Sequence, residues 1–310
     1  MKKKLDFSKP LIVLAPLAGY TDLPFRSVVK KFGADLTISE MISSNALVYK
    51  SARTLKMIEK SPSEDPYFVQ IAGNSAQLVR EAVEILNDVE GIDGIDLNCG
   101  CPAPKVFSHG SGSNLLGDLK KLEEILSTIK KYSKKEYTSA KVRLGVNEKI
   151  PVEIGKAVEA CGVDFVSVHG RTRAGKYKAP VDYDAIKAMK EAISIPVIAN
   201  GDIKDYDKAK EVLAYTNADG VMIGRGAIGK PWVFYQLKHG IEDISSELKK
   251  EIILEHFDAM LKFHGPHGAI MFRKLLHSYS KGYTGANEFR DIVNKISDID
   301  VMRDMIENFF

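Results

Sequence analysis

Short aliphatic runs alternate with longer amphipathic stretches along most of the chain. Runs near Leu11–Ala15, Asp35–Ser39, Tyr67–Ile71, Gly94–Asn98, Ala140–Leu144, Asp164–His169, Ile195–Asn200 and Asp219–Gly224 have strand length and mostly apolar character, as strands buried on both faces do. Most of the intervening segments carry a helical period. Strands separated by helices read as parallel strands with crossover connections, and eight such repeats predict an α/β fold, a closed (β/α)8 TIM barrel, over its competitor, an open doubly wound sheet. Three helix starts are legible: Ser75 before Ala76–Val89, Asp182 before Tyr183–Ala192 and Asp205 before Tyr206–Leu213 each offer an oxygen to orphan backbone N–H groups.

From about Ile241 the strand signals stop. Ser246–Phe263, Ala269–Tyr279 and Asn287–Phe310 read as helices, punctuated by Gly265-Pro266 and by Gly282–Gly285. The expected division is a barrel over residues 1–240 and an all-helical C-terminal domain over 241–310. A length of 310 residues suits one large or two ordinary domains, and 45% hydrophobic with 27% charged residues excludes a disordered chain.

The net charge of +3 is too small for bulk electrostatics to attract nucleic acid, so an RNA partner must meet a local patch. The C-terminal segment holds nine Lys and Arg against twelve Asp and Glu, which is no basic tail. Lys130-Lys131 and Lys134-Lys135, flanked by Tyr132 and Tyr137, read first as a solvated connection. Arg273, Lys274 and Lys281 interleave with Leu275, His277 and Tyr279, a pattern equally suited to an RNA contact or to one wet and one packed helix face. Three cysteines are too few for a secreted disulfide framework, and Asp6, Ser8, Lys9 and Pro10 interrupt any export signal after Met1-Lys2-Lys3-Lys4. A cytoplasmic, membrane-free protein is expected, a monomer with no obligate protein partner.

In a parallel barrel the chemistry gathers at the C-terminal strand ends. Here those ends read Pro16 to Gly19, Ser39-Glu40, Gln70, Asn98 to Cys101, Lys141 with Arg143, His169 with Arg171, Asn200 to Asp202, and Gly224-Arg225. A single polar residue ending a strand often only caps a turn; eight together predict a site. Glycines in Asn200-Gly201-Asp202 and Gly224-Arg225-Gly226 allow close approach of a ligand to backbone N–H groups, which predicts a phosphate site. Gly224-Arg-Gly-Ala-Ile-Gly229 also matches G-x-G-x-x-G, but it follows the last strand rather than opening a nucleotide-binding half, so a mononucleotide phosphate is favoured. Cys99 and Cys101 lack the further ligands that zinc needs, and no metal is expected. Cys99 and Cys101 have separate roles: Cys101, on a Gly-Pro-bracketed turn, is the candidate reactive thiol, while Cys161 and Cys99 suit burial.

These residues resemble the tRNA-dihydrouridine synthases, in particular the bacterial B type. The resemblance rests on Ala15-Pro-Leu-Ala-Gly-Tyr-Thr-Asp22 through Arg26, Ser39-Glu-Met41, Val69-Gln-Ile-Ala-Gly73 and Ile95-Asp-Leu-Asn-Cys-Gly-Cys-Pro102 with Lys105-Val106. It continues through Lys141-Val-Arg-Leu-Gly145, Val168-His-Gly-Arg-Thr172, Asn200-Gly-Asp202 and Met222-Ile-Gly-Arg-Gly226 with Pro231-Trp232, and more loosely through Arg273-Lys274 and Tyr279 to Gly282. It implies FMN held by Pro16, Leu17, Ala18, Gln70, Lys141, His169, Asn200, Gly201, Asp202, Gly224 and Arg225, with NADPH as a transient reductant. The implied reaction is reduction of the C5–C6 double bond of particular uridines in tRNA, expected in the D-loop, by hydride from flavin N5 to C6 and a proton from Cys101 to C5. An ordinary thiol, with a pKa of about 8.5, carries that proton at neutral pH. The resemblance further implies that Asn98 reads the uracil edge, that Arg171 with His169 meets base or phosphate, and that Arg273, Lys274 and the helical tail grip tRNA. One departure lies in Gly110-Ser-Gly-Ser-Asn-Leu-Leu116, where the family more often has alanine-rich residues; Ser113 and Asn114 are expected near Cys101. Two other readings fit fewer residues: a flavin barrel acting on a free pyrimidine, and a non-catalytic RNA-binding protein.

Overall fold

A computed structural model describes residues 4–310, so most of the Met1–Lys4 start lies outside the described residues. The strands are β1 (Leu11–Leu14), β2 (Thr37–Ile38), β3 (Ile42–Ser43), β4 (Tyr67–Ala72), β5 (Gly94–Cys99), β6 (Tyr137–Arg143), β7 (Phe165–His169), β8 (Val197–Asn200) and β9 (Gly220–Ile223). Every pairing is parallel, in the order β2-β4-β5-β6-β7-β8-β9-β1, and a bridge from Val13 to Leu36 returns the sheet to its beginning. The expected barrel is therefore the observed one. Strand β3 is an extra short piece beside the end of β4. Strand β6 starts three residues before its expected position, because Thr138 and Ser139 interrupt the apolar pattern while both are buried.

Alternation along each strand sorts residues between two cores. Outward positions such as Val69, Leu97, Cys99, Val142, Val168 and Ile223 pack beneath the surrounding helices. Inward, Leu11, Val13, Phe68, Phe165, Ile198 and Met222 fill the lower barrel. Above them Gln70, Asp96, Ser139 and Ser167 are equally buried, so the interior turns polar as it approaches the mouth.

The helices in chain order are α1 (Leu23–Lys31), α2 (Ser44–Val48), α3 (Ala52–Met57), α4 (Ala76–Asn87), α5 (Pro104–Ser108), α6 (Leu119–Tyr132), α7 (Pro151–Ala160), α8 (Tyr183–Ala192), α9 (Tyr206–Thr216) and α10 (Val233–His239). Ser75, Asp182 and Asp205 cap α4, α8 and α9 as expected, each accepting from the N–H three residues on. The lysines at 130, 131, 134 and 135 lie at the start of β6, the end of the barrel opposite the mouth; Lys130 pairs with Asp164, and Lys135 donates to the carbonyls of Asn87 and Val89.

Beyond the barrel come α11 (Ser246–His264), α12 (His267–Tyr279), α13 (Ala286–Val293) and α14 (Ile299–Phe309). The single helix expected over 287–310 is two. Asp298 caps α14 by accepting from Val301 N, and the chain folds back so that Phe289 stacks on Phe309 at 4.0 Å between ring centroids. A continuous helix would hold those rings about 30 Å apart. This region has its own core, which includes Val28 and Phe32 of α1, so it seats on the outer face of that helix. No helix among the described residues is long and apolar enough to cross a membrane.

Candidate active site at the barrel mouth

The strand ends surround a cavity of about 780 Å³, within the range typical of small-molecule sites. Pro16, Leu17 and Ala18 line one side, Gln70, Asn98 and Cys101 the next, and Lys141, His169, Asn200, Gly201, Asp202, Gly224 and Arg225 the remainder. All eleven residues expected to hold the cofactor thus share one cavity with Asn98 and the expected reactive thiol.

Cys101 follows β5 on a turn anchored at both ends. Asn98 Oδ1 accepts from Gly100 N at 3.1 Å and from Cys101 N at 2.9 Å. On the other side Ser113 donates to the Cys101 carbonyl through its hydroxyl at 2.8 Å and its amide at 3.2 Å. Arg143 Nε binds the Gly100 carbonyl at 2.7 Å, and Nη1 reaches the carbonyls of Thr172 and Lys176, tying the β5 turn to the β7 loop. Cys99, one position before the turn, is fully buried on the outer face, and burial pushes its thiol well above the usual range. Cys161 ends α7, donates to the Ala157 carbonyl and is buried.

The electrostatics of the cavity are set by cations brought together out of water. Lys141 Nζ donates to Asn200 Oδ1 at 3.2 Å; burial first, then Arg143, lowers its pKa to about 8. Burial and the surrounding Lys141, Arg143, Arg171 and Arg225 push His169 down to about 2, so its imidazole is neutral at physiological pH. Arg171 Nη1 lies 3.3 Å from His169 Nε2, which makes that nitrogen the acceptor and leaves the proton on Nδ1. Asp202 bridges Arg171 and Arg225, and the Arg171 hydrogen bonds foremost hold its carboxyl below the ordinary range.

Two glycines form a cradle against which a flat or phosphorylated group can lie. A Cβ on Gly201 would come within 2.9 Å of Val181 and 3.2 Å of the His169 ring; one on Gly226 would meet the Ile203 carbonyl at 2.3 Å. Backbone, cation and amide donors around an open cavity fit a flavin mononucleotide: the glycine turns suit its phosphate, and Lys141 and Gln70 suit the polar edge of its ring.

The chain matches the family model described as "Dihydrouridine synthase (Dus)" over residues 13–309. A "Probable tRNA-dihydrouridine synthase" of Helicobacter pylori is 54% identical over 308 residues, covering 99% of this chain and 94% of the relative. The chain belongs to the dihydrouridine synthase family. A "tRNA-dihydrouridine synthase B" of Vibrio parahaemolyticus is 39% identical over 308 residues, covering 96% and 95%. Among solved structures, the old yellow enzyme from Trypanosoma cruzi gives a TM-score of 0.53 at 10% identity over 81% of this chain and 93% of that one. Morphinone reductase gives 0.56 at 11% identity over 74% and 86%. These two are likenesses of fold.

For this dihydrouridine synthase family member, three expected contact residues fall outside the cavity lining. Arg171 is buried, holding Asp202 by two bonds and the Ala179 carbonyl by Nε at 2.5 Å, so it organises the rim. Arg273 binds the Ile296 carbonyl beyond the end of α13, inside the helical region. Lys274 reaches the Gly19 carbonyl and lies 4.8 Å from the Tyr20 ring centroid, linking α12 to the β1 loop at the mouth. Sequence reasoning missed Tyr177, whose ring centroid lies 5.3 Å from the Arg143 guanidinium and 4.5 Å from that of Arg225, and the buried Asp96. A carboxylate inside the apolar run Ile95-Asp-Leu97 was the available signal for the second.

Proposed function

We propose that this chain reduces the C5–C6 double bond of uridines in tRNA, using FMN at the barrel mouth and NADPH as reductant. Membership of the family and the names of its relatives support the substrate class; the observation that carries the chemistry is Cys101 on the wall of the cavity that suits the flavin, its backbone anchored at both amide and carbonyl. Bound FMN supplies the hydride taken up at uracil C6. Cys101 releases its proton to C5, so the base gains one hydride and one proton. Lys141 places a positive charge where negative charge gathers in the reduced site. Asn98 has both lone pairs of its carbonyl engaged by Gly100 and Cys101, and one N–H engaged by Gln70; its remaining N–H is the group it offers to a uracil carbonyl. Neutral His169 acts as a hydrogen-bonding group rather than a cation.

The target base must leave its stack to reach this cavity, so the RNA is gripped outside it. Residues 241–310 supply that grip in this reading, with Lys274 closest to the mouth, and residues 1–240 the chemistry. A cytoplasmic monomer suffices. Cys101→Ala is expected to purify with flavin and to be reduced by NADPH normally, while reoxidation by tRNA slows by about 10²- to 10⁴-fold, the usual worth of a general acid. Reoxidation at the wild-type rate would remove Cys101 from the mechanism. Mapping dihydrouridine in tRNA from cells lacking the protein identifies the position.

A further inference from the structure

Asp96 lies on β5 two residues before Asn98, fully buried, and takes no part in the chemistry above. Register places Gln70 beside it on β4 and Ser139 beside it on β6. Its Oδ1 accepts from Ser139 Oγ at 2.6 Å and its Oδ2 from Gln70 Nε2 at 2.7 Å. Gln70 Oε1 in turn accepts from Asn98 Nδ2 at 2.8 Å, and Asn98 Oδ1 accepts from the Gly100 and Cys101 amides. The chain of bonds has a direction. At its lower end stands a group that accepts; at its upper end stand two backbone N–H groups that can only donate. Between them neither amide can turn over without setting donor against donor.

We propose that Asp96 is a positioning residue: by supplying the acceptor at the base of this relay it fixes the orientation of Gln70 and Asn98, and through them the backbone of Cys101 and the single N–H that Asn98 presents to the substrate. The proposal rests on the reading of the site given above. Its essential property is hydrogen-bond acceptance rather than negative charge. Asparagine keeps that property, since its carbonyl can face Gln70 while its NH2 faces the Ser139 hydroxyl oxygen; leucine of similar size loses it.

The test compares Asp96→Leu with Asp96→Asn by two readouts. One is the rate of iodoacetamide labelling of Cys101, followed by peptide mass spectrometry. The other is the pair of half-reactions, flavin reduction by NADPH and reoxidation by tRNA. In D96L the freed turn is expected to label about fivefold faster and tRNA-driven reoxidation to slow about tenfold, with flavin reduction within about threefold of wild type, as fits loss of one buried acceptor. D96N is expected to return both readouts to within about threefold of wild type. D96N behaving like D96L would make the charge the essential property and overturn the relay. Wild-type labelling and reoxidation in D96L would overturn it as well. If D96L does not fold, Asp96→Ala carries the same expectations. Loss of fold in both, with D96N folded, would assign Asp96 to stability alone and overturn the proposal. A wild-type protein whose flavin tRNA does not reoxidise would refute the reading of the site, while the labelling rates would still decide the relay.

Discussion

His256 is fully buried in the helical region, packed by Phe25, Phe272 and Tyr279, with Nδ1 at 2.9 Å from the Tyr279 hydroxyl and Nε2 without a partner. Burial lowers its pKa from 6.5 to about 4. The folded state therefore holds the ring neutral, whereas the unfolded chain takes up a proton as soon as pH falls through 6.5. Stability is complete above that value, declines below it, and reaches its full loss only below about 4. At pH 5 the unfolded ring is mostly protonated and the folded ring mostly not; at 1.36 kcal/mol per pKa unit this costs about 2 kcal/mol. The chain's one tryptophan, Trp232, lies in the same core and stacks against Tyr279 at 6.2 Å, so its fluorescence reports on this region. Urea unfolding of wild type, followed by Trp232 emission, should lose about 2 kcal/mol more between pH 8 and pH 5 than unfolding of His256→Phe, which cannot take up the proton. Parallel pH curves for the two proteins would refute the argument, for they would mean that the buried ring exchanges protons as freely as an exposed one.

Two further expectations concern the rim and the helical region. Gly226→Ala drives a Cβ to 2.3 Å from the Ile203 carbonyl and 2.6 Å from Lys204 Cα, both backbone; the β8 and β9 turns must separate, and the flavin-to-protein ratio on purification should fall by about half or more, given the cost of an overpacked site, while an unchanged ratio would show that these turns do not hold the cofactor. Arg273 and Lys274 are neighbours with opposite roles: Arg273→Ala, which frees the Ile296 carbonyl, should lower Tm by a few degrees, roughly the loss of one charged hydrogen bond, and leave KM for tRNA unchanged, whereas Lys274→Ala should raise KM for tRNA about threefold or more at low salt with Tm unchanged. A reversed pattern would relocate the RNA contact.

The barrel was legible because its strands are buried on both faces and so read as mostly apolar runs, and its mouth because most of those runs end in polar residues. Where the reading failed, the missing information was tertiary. Nothing local to residues 287–310 announces that Phe309 must return to Phe289; Asp298, three residues before Val301, was a capping signal that the apolar period overrode. Arg171 and Arg273 read as candidate base, phosphate or RNA contacts, because sequence reports charge without reporting partners. In the folded chain one is spent on Asp202 and the other on the Ile296 carbonyl. Ser113, singled out only as a departure from the expected loop, proves to hold the Cys101 carbonyl.

The mouth is also electrically unbalanced, and this links its stiffness to its choice of ligand. Lys141, Arg143, Arg171 and Arg225 converge there, while the carboxylates close by include Asp202, bound to two of those arginines, Asp96, whose own pKa burial raises to about 6, and Glu40, which accepts from the Gly19 amide and whose pKa burial also raises. Arg143 and Lys141 both have their pKa values lowered, first by burial and then, for Lys141, by Arg143. Assembling like charges out of water costs stability, and the fold tolerates it by fastening the guanidiniums of Arg143 and Arg171 to backbone carbonyls of Gly100, Thr172, Lys176 and Ala179. Those same bonds stop these two guanidiniums from swinging apart to relieve their repulsion. Relief must come from outside, and an anion that enters the cavity meets a field already in place, with no reorganisation left to oppose it. In the proposed reaction a neutral base gains less from that field than one on which charge develops, so enolate-like charge building on uracil is the point at which the field helps most.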